Sequence, residues 1–306
     1  MRFAFLPFAL CFWLWPEPVA QEPFVAVGIW YAGPSVQPPA AGTGDVETLR
    51  RDLTRIRRAG FNAVTTWITW RDGEPKAGGY ALAAAERLIA AAAEADLKVL
   101  PVVFTEPAPA WASAEAGAGD RFLAYVSKRL SLQPGVVRVR EHTPVMDDGP
   151  GRIQVAAGSV LDARLAMWSA IARGAREVAF LGAGNTVGPA VLALGETAGV
   201  ITRNQALFAP LRLRTGGVSG VTAGGGAPVD VRMLESDDAL MIIGMNYAAA
   251  PRKATITFAA DIPEAIWQNM ETGTSVNFVM GQGGPFLEHT FAPRDALVLM
   301  IRKRPR

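Results

Sequence analysis

The stretch that decides the fold is residues 25–111. It begins with VAVGIWY (residues 25–31), continues with DVETLRRDLTRIRRAGFNAVTTWITWRDGEP (45–75) and ends with GGYALAAAERLIAAAAEADLKVLPVVFTEPAPAW (78–111). Three short apolar runs alternate here with two segments whose apolar residues recur at helical spacing. A repeated run of this kind predicts βα units in a parallel sheet, whose ligand sites lie at the carboxyl ends of the strands.

Several ordered features of this stretch resemble the family 42 type glycoside hydrolases, which are β-galactosidase-like barrels. The resemblance rests on AGFNAVTTWITW (59–70), the EP and GGY that follow it, LKVLPVVF (97–104) and PAPAW (107–111). It implies a (β/α) TIM-type barrel that acts on carbohydrate through carboxylate side chains. In that family the EP glutamate, here Glu74, is structural.

Composition leads to carboxylate chemistry independently. The chain has one cysteine, Cys11, and two histidines, His142 and His289, which leaves few candidates for a Ser-His-Asp triad and none for a Cys or His metal cluster. We therefore expect no cofactor and no metal, and a pair of carboxylates as in glycosidases. The net charge is only +2 and the basic residues are scattered, so nucleic acid is not an expected partner.

The first 20 residues are predicted to be a secretory signal peptide. Arg2 precedes an apolar run over residues 3–15, and Ala20 ends a short polar exit. The run is too short to span a membrane, so no membrane association is expected after cleavage. The predicted location is secreted or periplasmic.

A later block supplies the candidate nucleophile. GVVRVREHTPV (135–145) is predicted to be a strand that ends near Glu141, and DARLAMWSAIARGAREVAFLG (162–182) is predicted to be a helix followed by a strand. In the family resembled, the nucleophilic glutamate ends a late barrel strand and a segment like RLAMWSAIARGA follows. The resemblance implies this role for Glu141, with His142 beside it in the sugar site. The alternative is a loop carboxylate at the end of an edge strand.

The middle of the expected barrel is missing. Between PAPAW and GVVRVREH lie only residues 112–134, where the family has further βα units and an acid/base glutamate preceded by asparagine. This chain has no Asn-Glu pair, so Glu106 is the candidate for the acid, on weaker grounds than Glu141. Five predicted strands do not close a barrel, so its edges would be covered by loops, by the C-terminal domain or by a second copy of the chain. The five predicted strands are residues 25–31, 62–70, 98–105, 136–140 and 177–181.

Aromatic residues at the strand ends are candidates for stacking on sugars. We expect Trp30, Tyr31, Trp70 and Trp111 to contact substrate, whereas Trp67 is assigned to packing. A rival motif, Gly182, Gly184 and Gly188 after a predicted strand, resembles a dinucleotide loop. Its spacing differs from the usual form, so a glycine-rich rim loop is favoured over nucleotide binding.

After residue 210 the pattern becomes a series of short runs separated by turns, which predicts an antiparallel β-sandwich over residues 210–306 behind a partial barrel over residues 21–209. The segment RTGGVSGVTAGGGAP (214–228) is interpreted as a linker or long hairpin. The predicted function is a secreted glycoside hydrolase. The alternatives are a non-catalytic glycan-binding or structural remnant and, third, a nucleotide-binding oxidoreductase using Gly182–Gly188.

Overall fold

The computed structural model describes residues 23–303 except 41, 43, 143–151, 156–159, 183–186, 225–228 and 263–264, and at 113, 114 and 152–155 it describes the backbone alone. A parallel sheet with helices forms the first part, and two antiparallel sheets form the second. The predicted fold class is confirmed. The predicted signal peptide lies outside the described residues.

Six strands form the parallel sheet, in the order β4-β3-β2-β1-β6-β5. The first strand pairs on one side with β2 and on the other with β6, as in a closing barrel, whereas β4 and β5 are left at the two edges. The strands are β1 (Ala26–Trp30), β2 (Ala63–Thr69), β3 (Lys98–Phe104), β4 (Arg140–Glu141), β5 (Arg152–Val155) and β6 (Glu177–Gly182).

Two details differ from the sequence prediction. The strand β5 was not predicted, and the predicted strand over residues 136–140 is paired over Arg140–Glu141 with one earlier bridge between Val136 and Val99. At an edge, β4 has its partner β3 on one side, so the Val-Arg alternation does not extend the ladder. Over the residues that the structure describes, the sheet is therefore an incomplete barrel whose fourth strand is very short.

Helices cover one face of the sheet. The first of them shows why they form: the Asp45 side chain caps it by accepting from the Thr48 N–H at 2.8 Å, Leu49, Leu53 and Ile56 form its buried stripe, and Gly60 ends it. The helices are α1 (Val46–Ala59), α2 (Trp70–Gly73), α3 (Ala83–Glu94), α4 (Ala118–Leu130), α5 (Val160–Ala172), α6 (Pro189–Leu192), α7 (Gly195–Arg203) and α8 (Gln205–Phe208), with a 3-10 turn at Ala110–Ala114.

The sheet has an outer face under these helices and an inner face, which we define by Trp30, Trp67, Phe104 and the residues packed with them. Two ion pairs cross the inner side, from Arg138 and Arg140 near β4 to Glu177 on β6, at 2.7 and 2.8 Å. Three strands separate β4 from β6 in the sheet. The sheet must therefore curl, and its inner face is concave.

The C-terminal part consists of a six-stranded sheet, β13-β12-β16-β10-β9-β7, and a four-stranded sheet, β14-β15-β11-β8. Their facing sides enclose a second core that includes Trp267, Phe258 and Phe291. The strands are β7 (Arg212–Arg214), β8 (Val218–Ala223), β9 (Asp230–Glu235), β10 (Ala239–Asn246), β11 (Arg252–Phe258), β12 (Ile266–Asn269), β13 (Ser275–Asn277), β14 (Val279–Gly281), β15 (Gly284–Phe291) and β16 (Asp295–Arg302).

The two parts share one core through α5. This helix is buried over most of its length from Ala163 to Ala172 and contacts β5, β6, β9, β10 and β16. The segment interpreted as a linker or hairpin contains strands of different sheets instead, because β7 pairs with β9 and β8 pairs with β11. The chain after residue 210 is therefore built onto the barrel without a free linker in the described ranges.

Candidate functional site

The candidate nucleophile lies at the carboxyl edge of the sheet but on its outer face. Glu141 is in register with the buried Val103, and its neighbours Arg140 and His142 point to the opposite side. Its carboxylate is exposed and accepts a hydrogen bond from the Thr105 hydroxyl at 2.9 Å. The structure thus brings Glu141 next to a hydroxyl and turns it away from the concave interior.

The position of Glu141 in the strand order also differs from the expectation. The resemblance implied a nucleophile on a late strand, whereas Glu141 ends the fourth strand, directly beside β3. Glu106 follows two residues after the end of β3 and is exposed. Both carboxylates therefore lie at neighbouring strand ends, where ligand sites of parallel sheets form.

His142 lies on the inner side of the same edge. Its ring stacks on Phe104 with 4.1 Å between ring centroids, and its backbone N–H donates to the Val103 carbonyl at 2.8 Å. It is half-buried at the strand ends. Among the predicted site residues, His142 is the one that faces the interior and stays partly open.

A cluster of charged side chains lies on the inner face of the sheet. Glu177 is largely buried and pairs with both Arg138 and Arg140. Burial lowers the pKa of the Arg140 guanidinium, while the charge of Glu177 raises it and Arg138 lowers it further. Sequence reasoning missed this cluster; the Val-Arg alternation of GVVRVRE was a signal that two arginines share one face.

The mouth of the interior is covered by the loop after β1. The Gln37 side chain donates to the Gly182 carbonyl at the end of β6 at 2.9 Å, and Trp67 on β2 donates its indole N–H to the Ala40 carbonyl at 2.7 Å. Val36 from the same loop is buried in the inner-face cluster. The loop is thus fixed across the ends of two strands that flank β1.

The tryptophans on the inner face are packed. Trp30 and Trp67 lie with 6.0 Å between ring centroids and are 5% and 4% exposed. Trp67 was assigned to packing, and Trp30, which was predicted to contact substrate, lies in the same layer. Both rings fill the interior instead of lining an open cleft.

A second aromatic group is organised around Glu74. Its buried carboxylate accepts from the Trp70 indole N–H and from the Gly78 backbone N–H, each at 2.9 Å. The indole N–H of Trp111 donates to the Glu74 carbonyl at 2.9 Å, and the rings of Trp70 and Trp111 meet edge to face. Trp70 is buried and Trp111 is half-buried, so this cluster primarily fixes the loop after β2.

Tyr31 lies on the outer side, away from any ligand at the strand ends. It is fully buried, and its hydroxyl donates to the Asp52 carboxylate of α1 at 3.0 Å. Burial, together with the nearby negative charge of Asp52, raises the pKa of the Tyr31 hydroxyl. This residue joins the sheet to α1 and lies in the core, not at an open surface where a sugar could stack.

Tyr31→Phe is expected to lower the free energy of unfolding by about 2 kcal/mol, because the buried Asp52 carboxylate loses its hydrogen-bond donor. Urea denaturation measures the loss, with Tyr125→Phe, at an exposed tyrosine of α4, as the control. An equal, small effect of both substitutions would contradict the structural role of Tyr31.

The glycine motif falls partly outside the described residues, since 183–186 are not included. Gly182 ends β6, and Gly188 precedes α6, which has four residues. The described ranges also contain no group of three or more His, Cys, Asp or Glu side chains able to hold a metal ion. Within them, no helix is both long and apolar enough to cross a membrane.

The fold is that of the TIM-barrel-like glycoside hydrolases that carry an additional β domain. No protein-family model matches the chain, and no curated protein matches it either. The similarity is seen with solved structures.

An α-amylase from Geobacillus thermoleovorans superimposes with a TM-score of 0.57 at 10% identity, covering 92% of this chain and 99% of that chain. A family 39 glycoside hydrolase from Bacteroides cellulosilyticus WH2 gives 0.51 at 11% identity, covering 94% and 82%. A family 5 glycoside hydrolase from Bacteroides vulgatus ATCC 8482 gives 0.51 at 10% identity, covering 92% and 90%. At these identities the similarity establishes the fold.

Proposed function

We propose that this protein is a non-catalytic, glycan-binding derivative of a glycoside hydrolase barrel. The observation that carries the proposal is that the Glu141 side chain lies on the face of the sheet opposite to the barrel interior. Arg140 and His142 point inward, whereas Glu141 lies on the face of Val103 and bonds to Thr105. A retaining glycosidase needs two carboxyl groups about 5 Å apart on one sugar, both facing the cleft.

The filled interior supports the same proposal. Trp30 and Trp67 are packed together, the loop after β1 is held across the strand ends by Gln37, and Arg140 pairs with Glu177 below them. A substrate entering along the barrel axis would have to displace these contacts. Ligand binding at the rim requires no such change.

A second candidate is hydrolysis with Glu141 as the nucleophile, as the family 42 resemblance implies. Its support is the exposed Glu141 carboxylate oriented by Thr105, with Glu106 at the end of the neighbouring strand. In this candidate Glu106 would protonate the leaving oxygen.

The deciding experiment measures turnover of activated aryl β-galactosides by the full chain and by Glu141→Gln. An activated leaving group departs with little protonation, so the assay tolerates a missing acid. We expect the two proteins to give the same background rate, while the wild type is retarded in affinity gels that contain soluble galactan. Glu94→Gln, at an exposed position of α3, is the matched control.

Turnover that disappears in Glu141→Gln and persists in Glu94→Gln would overturn the non-catalytic proposal in favour of the hydrolase. If the protein shows no turnover and is not retarded by galactan or related polysaccharides, both glycan-directed functions are contradicted.

We further propose that the protein is secreted or periplasmic, supported by the apolar run over residues 3–15 after Arg2. We also propose that a second copy covers the β4 and β5 edges of the sheet, because each of these strands has a partner on one side only within the described ranges, and an unpaired edge exposes backbone hydrogen-bonding groups. Mass spectrometry of exported protein tests the cleavage after Ala20, and light scattering tests the dimer.

A further inference from the structure

The solvent side of α1 carries a concentration of positive charge. Basic residues are scattered over the chain as a whole, yet five of the 30 lysines and arginines lie within the 14 residues of this helix. A groove of about 430 Å³, which we call the α1 groove, runs along its exposed face. Because the lining residues recur at intervals of three and four, they share one face of the helix. They are Glu47, Arg50, Arg51, Thr54, Arg55 and Arg58.

Neighbouring elements neutralise only part of this charge. On the side of α3, Arg50 pairs with Glu94 at 2.7 Å. The Arg55 and Arg58 side chains are exposed, and neither forms an ion pair or a side-chain hydrogen bond with any residue that the structure describes. Two guanidinium groups of the α1 groove are therefore available to an anion from solution.

Arg51, Arg55 and Arg58 stand one above the other along the helix. They are spaced by four and three residues, at which like charges repel and destabilise a helix. The buried Asp52 carboxylate, 3.6 Å from the Arg51 Nε, compensates the first of them in part, and Glu47 lies at the opposite end of the groove. The row spans about 10 Å of the helix axis. It therefore suits the repeated charges of a polymer better than one small ion.

The chemistry of the α1 groove identifies the class of polymer. A guanidinium group binds an oxyanion through two parallel hydrogen bonds, and the Thr54 hydroxyl among the arginines suits a ligand hydroxyl. The lining contains no large apolar side chain, and the apolar stripe of α1 is buried in the core, so the helix has no apolar face to insert into a bilayer. A charged, hydrated carbohydrate matches both properties.

We propose that the α1 groove binds an anionic polysaccharide, with Arg51, Arg55 and Arg58 holding its carboxylate or sulfate groups. The inference deepens the proposed function, on which the choice of a polysaccharide over other polyanions rests. Because α1 follows the loop after β1, the groove begins near the rim of the barrel segment and continues along its outer side.

Biolayer interferometry on the full chain tests the inference, with sensors that carry polygalacturonate, dextran sulfate or neutral galactan. Arg55→Gln/Arg58→Gln removes the two groove cations that have no ion pair. Lys128→Gln/Arg302→Gln is the matched control, because it removes two exposed cations of α4 and β16 that likewise form no ion pair with the described residues. Thermal unfolding by circular dichroism checks that both variants fold.

We expect the apparent affinity of the groove variant for at least one anionic polysaccharide to fall about fivefold or more, while the control binds as the wild type does. Binding to galactan should be the same in all three proteins. Added salt should weaken binding to the anionic polysaccharide and leave binding to galactan unchanged, because salt screens exposed charges.

Equal binding of the anionic polysaccharides by the wild type and the groove variant would overturn the inference. Binding of galactan alone would overturn it as well and leave the proposed function standing, whereas no binding of any of the three polysaccharides would also count against the proposed function. Cosedimentation with phosphatidylglycerol vesicles that is lost in the groove variant, without binding to either anionic polysaccharide, would assign the groove to a membrane surface instead.

Discussion

Replacing Gly60 with alanine is expected to lower the free energy of unfolding by about 4 kcal/mol. Gly60 ends α1 with φ 121°, a conformation that costs an L-residue about 1–2 kcal/mol. A Cβ there would lie 2.2 Å from the Gly195 carbonyl oxygen of α7. Backbone cannot move aside as a side chain can, so about 1–3 kcal/mol of overpacking is added.

Gly174→Ala is the matched control, because Gly174 also has a positive φ just beyond the end of a helix, α5. Its φ is 91°, and a Cβ there would meet nothing within 4 Å. We expect a loss of about 1 kcal/mol from conformation alone. Urea denaturation of both variants separates the cost of the positive φ from the cost of the contact with Gly195. Equal losses in the free energy of unfolding would show that α1 and α7 are not in close backbone contact.

The glycine after α1 could be predicted to end the helix, but its closeness to Gly195 could not. A glycine following the last apolar residue of a helical pattern indicates a helix end from local sequence alone. The contact with α7 depends on the pairing of β1 with β6, which brings the end of the barrel segment back to its start. Nothing local encodes that pairing.

The candidate site likewise combines features that local sequence predicts with features that depend on strand pairing. The apolar runs of β1, β2, β3 and β6 were predicted within one or two residues, because buried parallel strands are nearly continuous apolar runs. The alternation of side chains separates Trp30 from Tyr31 and Arg140 from Glu141. Which of the two faces is concave depends on tertiary pairing, and local sequence therefore does not show that Tyr31 and Glu141 lie on the helix-covered face.

The C-terminal region shows where local pattern fails. Ala239–Asn246 and Asp295–Arg302 are nearly continuous apolar runs and form the central pair of the six-stranded sheet. Val218–Ala223 lies in a glycine-rich segment with little apolar alternation, so it was interpreted as a linker. It is an edge strand and is specified by pairing with β11.

Arg164→Ala is expected to lower the free energy of unfolding by about 3 kcal/mol, because it removes the main polar connection between the barrel segment and the C-terminal sheets. From α5, the guanidinium donates to Glu271 at 2.9 Å, to Asp295 at 3.0 Å and to the Ala296 carbonyl at 2.9 Å. The Arg164 and Glu271 side chains are 19% and 14% exposed. Truncation would leave the Glu271 carboxylate buried, with the Trp168 indole N–H still donating to it at 3.0 Å.

Arg50→Ala is the control, since its partner Glu94 is held in an exposed pair whose side chains are 50% and 55% accessible. Such an exposed pair is screened by solvent and contributes little to stability. We expect urea denaturation to show one transition in both variants, with the midpoint displaced in Arg164→Ala, because α5 belongs to a core shared by the two parts. Two separated transitions in Arg164→Ala, with unfolding of the barrel segment unchanged from the wild type, would contradict a shared core. The C-terminal sheets would then be an independent unit. A loss no larger than that of Arg50→Ala would instead assign the connection to the apolar contacts of α5 with β10 and β16.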